Sequence, residues 1–134
     1  KLTDHVLIGH VIGVDMVNKQ GKIIQDPEAR TGPRGVNTIR LIVKIDQTLV
    51  SPYKTTPSVI RAPLDSFMHY SLGQIRQEYR TKQPPFLLLL TGHDYLPPLP
   101  GIFARSLADK NKVLQLMKTK KPVLLPHSHQ RQYP

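Results

Sequence analysis

The run Gln83-Pro84-Pro85-Phe86-Leu87-Leu88-Leu89-Leu90-Thr91-Gly92 constrains this chain more than any other stretch. Its apolar part, residues 86–90, is bounded by a proline pair and a glycine. It is far shorter than the roughly 20 apolar residues needed to cross a bilayer. With no polar alternation it reads as a strand buried on both faces. We expect it to be the central strand against which the other elements pack.

Two long strands precede it. Residues 5–17 (HVLIGHVIGVDMV) alternate with period two, placing Val6, Ile8, His10, Ile12, Val14 and Met16 on one face. Leu7, Gly9, Val11 and Gly13 fall on the other, where the glycines mark a bend, a bulge or a close backbone approach. His10 is expected as a hydrogen-bonded buried histidine. Residues 38–50 (TIRLIVKIDQTLV) turn Ile39, Leu41, Val43 and Ile45 inward, with Ile42 the one apolar exception outside. A third, short strand at 58–62 is stopped by Pro63.

The connections are more irregular. Residues 16–24 suit a hairpin about Asn18-Lys19-Gln20-Gly21, and 25–35 form an exposed flexible loop within the 18–36 connection. Residues 64–79 carry apolar positions at helical spacing, as one helix or as two pieces broken near Ser71-Leu72-Gly73. Pro97, Pro98 and Pro100 stiffen 93–101 into an extended crossing. A last short strand at 102–105 leads to Ser106, whose hydroxyl caps a helix with Leu107, Val113, Leu114, Leu116 and Met117 on its apolar side. Pro122 stops that helix. We expect one domain over 1–121 and a basic tail over 122–134 containing proline and histidine.

The succession HVLIGHVIGVDMV, TIRLIVKIDQTLV and PPFLLLLTG resembles the OB-type barrel of small secreted netrin-like modules, a fold shared with tissue inhibitors of metalloproteinases. The resemblance spans roughly residues 5–118 as a pattern of hydrophobicity. It implies a β-rich α+β fold, a small OB-like curved β-barrel with one or two helices, including a C-terminal helix. Those modules are disulfide-bonded. This chain has no cysteine, so neither their inhibitory activity nor their contact residues carry over.

The missing cysteine also removes thiolate metal sites and cysteine nucleophiles. The 134 residues suffice for one core, and 13 prolines, about twice the usual share, fit long irregular connections. The chain opens Lys1-Leu2-Thr3 without methionine, so we expect a processed product, periplasmic or secreted, with the cytoplasm as the alternative. Nineteen Lys and Arg against nine Asp and Glu give a net charge of +10. Such a surplus attracts polyanions.

No phosphate loop, HExxH or paired-carboxylate motif occurs, so we expect no catalytic centre and no cofactor. The expected function is a non-catalytic binding or assembly module, contacting a protein partner through the 18–36 loop, the 93–101 segment and the tail. Arg30 and Arg34 flank Gly32-Pro33 as an anion candidate, and His93, Asp94 and Tyr95 follow the apolar strand, where functional loop residues often sit. The alternative is a nucleic-acid-binding OB-like domain with Arg40, Lys44, Arg61, Arg76, Arg80 and Lys82 along a basic groove. Neither long strand carries an aromatic to stack a base. A second alternative, a small hydrolase, requires His69, Ser71 and an acid to converge. His127 and His129 form a weak metal candidate in the tail.

Overall fold

The computed structural model describes residues 3–32, 36–65 and 68–119. The architecture is β-rich α+β: a five-stranded antiparallel sheet with two helices. The strands are β1 (His5–Val17), β2 (Thr38–Val50), β3 (Val59–Pro63), β4 (Phe86–Leu90) and β5 (Ala104–Arg105). Their order across the sheet is β3-β2-β1-β4-β5, so β3 and β5 are the edges and the sheet is open. Helix α1 spans Leu72–Glu78 and α2 spans Lys110–Lys118.

The middle strand is β1, not the leucine run, which corrects the expectation for residues 86–90. At 13 residues β1 is long enough to pair with β2 along its length and with β4 over His5–Gly9 at its other edge. The leucine run is nonetheless buried on both faces, as its composition predicts. Leu88 and Leu90 join the main core on the inner face, while Leu87 and Leu89 pack on the outer face with Val6 and Val113.

The single-face alternation expected for β1 also fails, for a local reason. Val11 pairs with Val43 and Gly13 with Ile42, leaving Ile12 as the extra residue of a bulge. One inserted residue reverses the parity of all that follow. Val14 and Met16 therefore share the inner core with Leu7, while Ile12 points into solvent at 54% exposure. His10 stands on the outer face rather than in the core, and its Nδ1 lies 2.8 Å from the Asp46 carboxylate. On β2 the expected alternation holds, with Ile39, Leu41 and Val43 buried. The hairpin at Asn18 also forms: Asn18 N–H donates to Lys22 O at 2.8 Å, and Ile24 N–H to Met16 O at 2.8 Å.

Helix α1 begins at Leu72, so residues 64–71 are not part of it. Its start is fixed by a reciprocal cap: Ser71 Oγ accepts from Gln74 N–H at 3.1 Å, and Gln74 Oε1 accepts from Ser71 N–H at 3.0 Å. The preceding connection supplies the remaining acceptors. Leu72 N–H donates to Ala29 O and Gly73 N–H to Pro27 O, both at 2.9 Å. The first helical N–H groups, orphaned in any helix, are thereby satisfied. Gly73 permits this approach, because a Cβ there would meet Pro27 O at 3.1 Å. Residues 27–31, expected within a flexible loop, are thus pinned, with Thr31 buried and its hydroxyl donating to Met68 O. Replacing Ser71 by alanine should lower unfolding free energy by about 1 kcal/mol, read as a lower urea midpoint at unchanged slope.

At the other end, Ser106 Oγ accepts from Ala108 N–H at 3.1 Å, capping a 3-10 turn (Leu107–Asp109) that leads into α2. Val113 and Met117, one turn apart, lay α2 over Val6, Leu87 and Leu89 on the outer face. Leu107 lies in the turn and is 38% exposed, not on the helix's buried side as expected.

Candidate functional site

Two places gather unlike side chains. The first is the end of the sheet where β1 starts. His5 is fully buried there, with Tyr95 stacked on it at 4.1 Å between ring centroids and Tyr53 tilted against it at 5.5 Å. The Gly92 carbonyl lies 2.8 Å from His5 Nε2 and can only accept, so in the neutral ring Nε2 carries the proton. Nδ1 then accepts from the Ser51 hydroxyl at 3.0 Å. Asp4, on the other flank, accepts from Gly92 N–H at 3.1 Å and approaches His5 Nε2 at 3.3 Å.

Serine, histidine and aspartate thus meet, yet every group is occupied. Ser51 Oγ also accepts from Tyr53 N–H at 3.1 Å, and no part of the ring is open to solvent. The cluster fastens the first strand to the ends of β2 and β4. Tyr95 helps hold it and occupies a left-handed backbone conformation at φ 53, a strain that packing on His5 offsets.

The second place is an open cleft of about 490 Å³ on the inner face. Helix α1 has only seven residues and covers that face through Leu72 and Ile75, then stops. Beyond it Val11, Leu41 and Phe86 form a floor. One wall is Tyr79 with the Gln83-Pro84-Pro85 connection, and the other is Ala104 to Leu107. Prolines fix φ, so the first wall is stiff. The lining is mainly apolar, and its polar groups include Glu78, Gln83, Arg105 and Ser106. Arg105 is buried and held by Asp109, with Nε at 3.1 Å and Nη2 at 2.9 Å.

The residues singled out in the sequence are dispersed. Arg40 grips Asp15 through two bonds of 2.8 and 2.7 Å, and Arg61 lies 3.6 Å from the same carboxylate. Arg40, Lys44 and Arg61 alternate with core residues and so share the outer face of β2 and β3. Arg76, Arg80 and Lys82 belong to α1 and its exit, on the inner side. The six cations therefore do not line one groove. Arg76 Nε donates to Val14 O at 3.4 Å, and Arg80 Nη1 to Gln77 Oε1 at 3.0 Å.

Arg30 donates to His69 O at 3.4 Å, and Arg34 lies outside the described residues. His93 and Asp94 are exposed at the tip of the turn after β4, 3.7 Å apart, while Tyr95 is buried against His5. Ser71 spends its hydroxyl on the helix cap. His127 and His129, with the whole tail, lie outside the described residues. Among the described residues no three metal-ligating side chains converge, and no helix is long and apolar enough to cross a membrane.

No family model, curated protein or solved structure matches this chain. Sequence reading missed the cleft because its walls are distant in the chain. The local signal was the proline pair before β4 and an apolar residue directly after the Ser106 cap.

Proposed function

We propose that this protein is a non-catalytic binding module that takes a segment of a protein partner into the cleft between the α1 exit and β5. The open apolar volume beyond Tyr79 carries this reading. A cleft of this size falls within the range of pockets that bury most of a ligand, about 300–1,000 Å³. Its proline-stiffened wall loses little freedom on docking, which favours affinity. The second proline segment offers a separate apolar surface, since Leu96 and Leu99 stand exposed on it. Its shape is fixed by bridges from Leu96 to Thr91 and from Leu99 to Ile102.

Leu107→Gln tests the reading. This wall residue is partly exposed, so the fold should tolerate the change. Binding partners retained from a cell extract by the immobilised wild-type chain should drop about fivefold in abundance on the variant, at near-equal melting temperature. An unchanged set of retained proteins would remove the cleft from the interaction.

The runner-up is a nucleic-acid-binding OB-like domain, resting on the net charge of +10. Its outer face offers Arg40, Lys44 and Arg61, but Asp15 and Asp46 stand among them. A steep fall of single-stranded DNA affinity with salt, lost in Lys44→Glu and Arg61→Glu, would favour it.

A further inference from the structure

The charge around the cleft narrows what enters it, on the reading just given. The chain segments that supply its two walls, residues 78–86 and 104–110, carry the cations Arg80, Lys82, Arg105 and Lys110 and the carboxylates Glu78 and Asp109, of which Glu78 and Arg105 line the cleft itself. Arg105 and Asp109 bind each other, so their charges cancel locally. Arg80 and Lys82 are both exposed, and neither has a carboxylate partner among the described residues. They sit between Tyr79 and Gln83, two residues that line the cleft, just ahead of the proline pair. The connection beside this wall thus carries two cations against the one carboxylate of Glu78, which lines the cleft, and the floor is apolar.

We propose that the cleft receives a short segment of a protein partner in which apolar residues are followed directly by acidic ones. The apolar side chains rest on Val11, Leu41 and Phe86 and displace water from them. The acidic residues lie along Arg80 and Lys82. Charge at the rim sets orientation and encounter rate, while the apolar floor supplies most of the binding free energy.

Three labelled peptides separate the terms: Leu-Phe-Leu followed by a run of Glu, and its counterparts ending in Ser or Lys. Fluorescence anisotropy against the full chain should rank them Glu, Ser, Lys in order of decreasing affinity. The double variant Arg80→Glu with Lys82→Glu should weaken the Glu peptide about tenfold and leave the Ser peptide nearly unchanged. High salt should narrow the Glu-to-Ser gap by screening.

Equal binding of the Ser and Glu peptides would overturn the acidic preference while leaving a protein-binding cleft in place. No saturable binding of any peptide would also overturn it; partner loss in Leu107→Gln would then still uphold the broader reading. Displacement of the Glu peptide by oleate at lower concentration would make the occupant a lipid. Displacement by a peptide of residues 120–134 would make it the chain's own tail. Either result overturns the proposal.

Discussion

Gly9→Ala lowers the stability of this protein by about 2–3 kcal/mol, the balance of severe overpacking against a smaller gain from stiffening the unfolded chain. A Cβ built at Gly9 would stand 2.6 Å from the backbone oxygen of Lys44 and 2.8 Å from Val43 Cγ1, with Leu88 Cδ1 at 3.2 Å. The nearest of these is main chain, fixed in the β1–β2 ladder, so it cannot rotate aside. Pushing β2 away would loosen the strand pair on which the sheet is built. Thermal unfolding should shift down by roughly 10 °C. Gly13→Ala is the control, since its Cβ would meet only Ile42 side-chain atoms, at 3.4 and 3.9 Å. A similar loss in both variants would show that backbone flexibility, and not the close approach, requires glycine in β1.

Leu88→Ala should lose about 3–5 kcal/mol, the upper part of the range for emptying a leucine site that cannot collapse. Leu88 is fully buried in the inner core, on a strand paired on one side with β1 and on the other with β5. Both ladders hold its backbone in place, so neighbouring atoms cannot close the void. Against a typical total of roughly 5–15 kcal/mol, the variant would be near the edge of folding at 37 °C. Denaturant titration would show a lower midpoint. A loss below about 1 kcal/mol would mean that the leucine run packs less tightly than its burial indicates.

The elements readable from the sequence are those whose signal is local. Residues 5–17 and 38–50 declare themselves by β-branched alternation, and both strands begin and end where that pattern does. The Asn18 turn and the Ser106 cap are short-range chemistry as well. The start of α1 was legible in Ser71 and Gln74, a capping box that the apolar spacing of 64–79 masked. What resists local reading depends on pairing between distant residues. The bulge at Ile12 is defined only against β2, and its reversal of Val14 and Met16 has no sign in the alternation itself. His5 draws its partners from Ser51 and Gly92, and the cleft exists because α1 ends before the sheet does. The basic groove failed on the same ground: strand parity and helix placement separate its cations, and Asp15 engages two of them.

The position of β1 between β2 and β4 bears on how the chain is made. Synthesis delivers residues 5–50 first, and they can pair as a curved ribbon at once. Leu7, Val14 and Met16 on one side and Val6 on the other then face water until Phe86–Leu90 and the helices emerge. A sheet closed by such distant pairing folds in milliseconds to seconds rather than microseconds. Until then the ribbon's apolar faces are open to association with other chains; His5 Nε2 gains its acceptor when Gly92 arrives, and Val6 is covered only when Val113 of α2 follows.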